Sequence, residues 1–274
     1  MTETTTIMAA LSTLTPPQLS DLTHSIFTDI HHHHHRLTSL LTSPTLFSLT
    51  LHHLHSLSLP NKTLLIARHL LSSLRHLTRH LHLKPLPSNA MKQRDLDAVL
   101  LLLLLCETRQ YDPEALETKS PAEWRGILSK IFSDTLLTVS GIGFYNGSVM
   151  IPYIEMVTRC WKFVAEMGCC DGGDGKMGRE VAASAVAVVA LPSVEVVGVG
   201  IECVICKEEM REGRDVCELP CEHLFHWICI LQWLRKRNTC PCCRFELPTD
   251  DVFAEIKRLW EVLVKMGNRS SRCC

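Results

Sequence analysis

The sequence predicts two unlike parts: a mainly α N-terminal domain and a small zinc-stabilised module near the C-terminus. Three observations carry this expectation. Apolar residues recur at helical spacing through residues 1–167. A run with five glycines in eleven residues, Gly168–Gly178, then interrupts any regular element. Beyond it, eight cysteines and histidines fall into four closely spaced pairs between Cys203 and Cys243.

The helices announce themselves by their starts. Thr15 followed by Pro16 and Pro17 reads as an N-cap with proline in the first turn. Ser43-Pro44 is a second start, and Ser120-Pro121-Ala122-Glu123 a third, with Glu123 placed for a capping box. Leu70, Leu74, Leu77 and Leu81 step by helical spacings and draw one apolar stripe. Met150–Met167 repeats the amphipathic pattern despite Pro152. Together these predict about six or seven helices packed as a bundle. The expected layout is a helical domain over 1–167 and a flexible linker with a valine-rich lead-in over 168–199. The cysteine-rich module covers 200–248, and an amphipathic helix and tail cover 249–274, with the helix at Asp250–Met266.

Composition narrows the function. The 274 residues are 46% hydrophobic and carry a net charge of -1, which gives no general pull towards a polyanion. No charged n-region leading into an apolar stretch opens the sequence, so a reducing compartment is expected, where fourteen cysteines suggest thiolate ligands before disulfides. Ala98–Cys106 is too short for the ~20 helical residues of a membrane span, and Pro192 and Glu195 interrupt Val181–Ile201.

The pairs in the module have metal-ligand spacing: Cys203 with Cys206, Cys221 with His223, His226 with Cys229, and Cys240 with Cys243. A two-residue gap lets two sulfurs converge on one ion from a tight turn, and two tetrahedral sites need eight donors. With every position filled by protein, such zincs are structural and leave no place for a reactive water. They stabilise a module of about fifty residues that can hardly build a core. Within TCPCCRF, Thr239 to Phe245, Cys242 is the surplus thiol.

The order Cys-Cys-Cys-His-His-Cys-Cys-Cys resembles the RING-H2 family of ubiquitin ligases. A PHD finger would carry cysteine where His223 stands, and a two-Cys, two-His finger would leave four ligand-like cysteines over. The resemblance implies a small α+β cross-brace. Cys203, Cys206, His226 and Cys229 would hold one Zn2+, and Cys221, His223, Cys240 and Cys243 the other. It also implies ubiquitin transfer from a conjugating enzyme to a substrate lysine, with no covalent nucleophile on this chain. Ile205, Trp233 and Pro241 match the family's contacts to the conjugating enzyme, Trp233 being read as an exposed interface anchor. Arg244 matches the linchpin that holds the attached ubiquitin. The alternative is a zinc-stabilised scaffold without ligase activity. A nucleic-acid finger is disfavoured, because residues 198–250 hold seven basic and nine acidic side chains.

Other features carry less. Thirteen of fifteen histidines precede residue 83, including the run His31–His35, in which His31 and His35 share a helix face as a metal pair or a solvated stretch. The first 94 residues are rich in Ser, Thr and Leu, with three acids. That composition partly matches a transit segment, yet Arg36 is the first basic residue. This leucine- and histidine-rich start resembles plant RING-H2 ligases associated with amyloplasts and shoot gravitropism. The expectation is a cytosol-facing protein at a plastid surface, with a diffuse cytoplasmic location as the alternative. Cys273 and Cys274 beside two arginines are free thiols or a lipid-attachment point for peripheral membrane association. Cys217 is expected inside the module as a small hydrophobe.

Overall fold

The structure, a computed structural model, describes residues 3–81, 91–114, 116–117, 119–134, 149–167, 181–196, 200–210 and 215–270. The glycine-rich run 168–178 and the cysteine pairs Cys169–Cys170 and Cys273–Cys274 lie outside these residues. The described residues divide into two compact units, one of 3–81, 91–167 and 256–270, the other of 181–255.

The regular elements described in the first unit are all helices. Its elements are α1 (Glu3–Leu11), α2 (Pro16–Thr42), α3 (Pro44–Ser56), α4 (Leu59–Thr78), α5 (Gln93–Tyr111), α6 (Pro121–Asp134) and α7 (Met150–Met167). The expected caps are made. The Gln18 side-chain oxygen accepts from the Thr15 amide at 3.0 Å, the Ser43 hydroxyl from the Leu46 amide at 3.4 Å, and the Glu123 carboxylate from the Ser120 amide at 2.8 Å. Each satisfies a backbone donor that the first turn leaves over.

One apolar face of each helix turns inward. Leu22, Ile26, Ile30, Leu37 and Leu40 of α2 are buried with Leu70, Leu74 and Leu77 of α4. The stripe stops there, because α4 ends at Thr78 and Leu81 lies half-exposed past its end. The leucine run of α5 is a core helix, with Leu100, Leu101, Leu103 and Leu104 buried. Among the described residues no helix is long and apolar enough to cross a membrane. A partly buried bidentate pair pins α2 to α5: Arg36 donates to the two Asp97 carboxylate oxygens at 3.0 and 2.6 Å. The final helix, α10 (Val252–Ser270), overruns the predicted Asp250–Met266 at its far end. The indoles of Trp260 on α10 and Trp161 on α7 stack with centroids 4.4 Å apart.

The second unit contains α8 (Ala185–Val189), β1 (Ser193–Val194), β2 (Val216–Glu218), β3 (Leu224–His226) and α9 (Trp227–Leu234). The strands form one antiparallel sheet in the order β1-β2-β3, with Val194 opposite Val216 and Cys217 opposite Phe225. Two expectations change here. Residues 181–196, read as lead-in from a linker, fold onto the module: Leu191 and Val196 are buried with Val216, Cys217, Phe225, Ile230 and Leu234. The module therefore has an apolar core beside its metal sites, built mostly from its own residues and extended by Leu191 and Val196 of the lead-in. Cys217 is fully buried within it.

Candidate functional site

Each CxxC pair sits in a tight backbone loop, and the two loops are copies. In the first, the Cys203 amide donates to the Glu208 carbonyl at 2.9 Å and the Lys207 amide to the Cys203 carbonyl at 2.7 Å. In the second, Cys240 donates to Phe245 at 2.8 Å and Arg244 to Cys240 at 3.0 Å. A two-residue bridge closes each base, Glu202 with Glu209 and Thr239 with Glu246. Every one of these positions recurs 37 residues later (203 to 240, 207 to 244, 209 to 246). The residue after the second cysteine turns the chain back with positive φ, 63° at Lys207 and 60° at Arg244. Glycine is the usual choice there, and side chains at both positions accept a backbone cost of about 1–2 kcal/mol.

The other two pairs come from the hairpin and α9. Cys221 and His223 flank the turn between β2 and β3, His226 ends β3, and Cys229 lies in the first turn of α9. The donor atoms gather in two clusters: Cys203, Cys206, His226 and Cys229 in one, Cys221, His223, Cys240 and Cys243 in the other. Within each, all donor atoms lie within 4.8 Å of one another. The clusters interleave along the chain, first and third pairs against second and fourth.

The donors fit zinc. Zn–S of about 2.3 Å and Zn–N of about 2.0 Å give a tetrahedral S–N edge of about 3.5 Å. The His226 Nδ1 lies 3.3 Å from the Cys206 sulfur, and the His223 Nδ1 3.4 Å from the Cys221 sulfur. Burial, with the sulfurs around them, pushes the Cys221 and Cys229 thiols up to about 12, against the His223 amide, which lowers Cys221. Crowded thiols of this kind are held ionised only by a cation among them. The two clusters thus fit two zinc ions with three thiolates and one imidazole each. Cys242 is exposed and belongs to neither donor cluster, while its amide donates to the Cys240 sulfur at 3.4 Å. The His226 Nε2 is buried without a partner among the described residues, unlike the usual metal-bound imidazole, whose second nitrogen is engaged.

The remaining site residues sit on the metal-held loops and α9. Ile205, in the first loop, is 36% exposed, beside Val204 at 45%. Arg244 is exposed behind the second loop, where Pro241 is half-buried. Trp233 departs from the expectation of an exposed anchor. It is half-buried against the module core, its indole N–H donates to the Thr239 carbonyl at 2.7 Å, and the Arg237 guanidinium lies over its ring at 5.0 Å. One face of the indole is core and its outer edge remains surface. Ile228, 74% exposed on α9, is an apolar surface residue that spacing did not single out. The His31–His35 run divides: His31 and His35 are exposed, and neither donor cluster includes them. His33 instead turns inward and meets His69 of α4, ring centroids 5.4 Å apart.

Comparison with known proteins covers both units. Residues 201–244 match the Ring finger domain family. Over 272 residues the chain is 56% identical to E3 ubiquitin-protein ligase SGR9, amyloplastic, of Arabidopsis thaliana, spanning 96% of each. It is 49% identical over 81 residues to the E3 ubiquitin-protein ligase RNF181 homolog of Drosophila melanogaster, 28% of this chain and 55% of that one. The Rattus norvegicus RNF181 ligase is 57% identical over 51 residues, 19% of this chain and 31% of that one.

Proposed function

The chain belongs to the RING-H2 E3 ubiquitin-protein ligases, and on that premise we propose which of its residues perform the transfer. It is a RING-type E3 ubiquitin ligase that works with a ubiquitin-conjugating enzyme and a protein substrate. In the reaction, a substrate lysine amine attacks the thioester carbonyl, an isopeptide bond forms, and the conjugating enzyme's cysteine leaves as thiolate. This chain contributes orientation to that step.

Ile205, Trp233 and Pro241 form the docking face for the conjugating enzyme. The observation that carries this is their placement: two hydrogen-bonded, metal-held loops and one short helix present them at fixed backbone positions. Arg244 then reaches the conjugating enzyme and the attached ubiquitin together with its fork of donors. Restricting ubiquitin to geometries open to attack removes orientational freedom before the chemical step. The eight donors Cys203, Cys206, Cys221, His223, His226, Cys229, Cys240 and Cys243 hold the two zincs that fix these loops.

The test is single-turnover discharge of ubiquitin from a charged conjugating enzyme onto free lysine. Arg244→Ala should slow discharge at least tenfold with two zincs still bound. Full activity in that variant removes the linchpin assignment.

Residues 1–167 select substrate or location. A cavity of about 450 Å³ lined by Leu51, Leu54, Lys62, Leu102, Leu105 and Trp124 supports a binding role for this part. Proximity labelling should lose partners when Leu102→Trp fills it, and an unchanged set refutes the role. The Arabidopsis relative is named amyloplastic, which supports a plastid location here. Because ubiquitin chemistry is cytosolic, the outer surface is the compatible side. A fluorescent fusion of residues 1–180 should decorate plastids, and a diffuse signal refutes the assignment.

A further inference from the structure

Three separate pieces of chain make the docking face: two loops and α9. Each loop is closed by its own hydrogen bonds and metal, and α9 meets the base of the second loop through the Trp233 indole, which donates to the Thr239 carbonyl at 2.7 Å. The last turn of a helix leaves carbonyls without intrahelical partners, and α9 ends at Leu234, one residue after Trp233. The free Leu234 carbonyl accepts a hydrogen bond from the Ala183 amide at 2.9 Å. The next amide, Ser184, donates to the Pro248 carbonyl at 2.8 Å, on the segment leaving the second loop. Two consecutive N–H groups of the lead-in thus staple the end of α9 to the exit of the loop carrying Pro241 and Arg244.

The rest of the lead-in holds the staple in place. Ser184 caps α8, its hydroxyl accepting from the Ala187 amide at 3.1 Å, and is itself 6% exposed. Leu191 and Val196 are buried in the module core, and β1 adds a third strand through Ser193 and Val194. At the start of α9, the Trp227 indole donates to the Ser193 hydroxyl at 2.6 Å. The lead-in therefore grips α9 at both ends.

We propose that residues 181–196 are part of the ligase module, and that the Ala183–Ser184 amides are positioning groups that lock the docking face into its binding-competent arrangement. This rests on the assignment of Ile205, Trp233 and Pro241 to that face. The lead-in acts by positioning the docking face and not by contact with the conjugating enzyme or ubiquitin. Their loss lowers the fraction of modules in the competent arrangement, and apparent affinity falls by that fraction.

The experiment uses full-length protein and discharge kinetics with increasing charged conjugating enzyme. Ser184→Pro removes the staple donor at a residue whose φ of -63° already suits proline. KM should rise about tenfold, with kcat changing less than twofold and two zincs released by a thiol-reactive chelation assay. Ser184→Ala keeps the amide and loses only the cap, so its KM should rise less than threefold, a rescue by the variant that retains the N–H. Unchanged KM in zinc-loaded Ser184→Pro overturns the inference. So does a parallel fall of zinc content and rate, which marks a purely structural role. If Ser184→Pro does not yield soluble protein, Leu191→Ala, which loosens the lead-in from the core, must show the same KM rise with zinc retained, and an unchanged KM there refutes the idea. Trp233→Ala separates the two levels: if it leaves KM unchanged, the docking-face assignment fails. If it raises KM and Ser184→Pro does not, only the role of the lead-in fails.

Discussion

Mild acid should loosen the helical unit through two histidines. His69 of α4 is 2% exposed, and its Nε2 has no hydrogen-bond partner among the described residues. Burial lowers its pKa to about 4. His33 of α2 faces it, and burial, then the charges of His69, His32 and His76, lower it to about 3. Asp29 lies nearby on α2, 3.0 Å from the His76 ring, and Tyr153 of α7 lies behind it. Both imidazoles are neutral in the folded chain and protonate near pH 6.5 when unfolded. Folding is therefore fully supported above about pH 6.5 and loses support as pH falls below it. At pH 5 the loss is about 2 kcal/mol for His69, at about 1.4 kcal/mol per pH unit over ~1.5 units. Half-buried His33 adds about 1 kcal/mol after allowance for solvent screening. Burial raises the Asp29 pKa, so its carboxyl opposes the loss only at the acid end of the range. A total of about 3 kcal/mol is a large share of the 5–15 kcal/mol typical of a domain. Hydrogen exchange read by mass spectrometry on α2 and α4 peptides isolates this from any acid release of zinc. Exchange should rise on the order of 100-fold more between pH 7 and 5 than intrinsic chemistry dictates, and His69→Leu should remove most of the excess. An unchanged excess in His69→Leu, or no excess at all, refutes the reasoning.

Asp97→Ala leaves the Arg36 guanidinium without its buried partner and should cost about 3 kcal/mol in urea unfolding. Trp260→Ala removes the stacked indole that closes α10 on α7 and should cost about 3–5 kcal/mol. Cysteine replacements should divide sharply within one short loop: Cys240→Ser should release one zinc and abolish discharge, while Cys242→Ser should keep two zincs and full rate.

What the sequence disclosed follows the range of the interactions. Helix starts rest on contacts over three or four residues, so Thr15, Ser43 and Ser120 could be read directly. Ligand pairs are equally local, and their interleaving came from the family resemblance. The lead-in was not legible: Val181–Leu191 is too short and too apolar to show a period, and its place depends on partners 51 and 64 residues on, at Leu234 and Pro248. The half-buried state of Trp233 depends on the same tertiary packing. His33 was hidden in a run of five, since only the distant α4 decides which histidine of the run turns inward.

The 37-residue correspondence between the two loops supplies an internal control for the linchpin. Lys207 and Arg244 occupy the same left-handed position, each with its amide bonded to the first cysteine of its loop. Glycine at either position relieves about 1–2 kcal/mol of backbone cost and returns about 0.4–1 kcal/mol through the freer unfolded chain. Stability of Lys207→Gly and Arg244→Gly should thus match the parent within about 1 kcal/mol, with both zincs retained. Backbone and metal are treated alike in the two variants, and only the guanidinium differs. Lys207→Gly should discharge ubiquitin at close to the parent rate and Arg244→Gly at least tenfold more slowly. Equal losses in the two would mean that the turn conformation, and not the arginine side chain, limits the reaction.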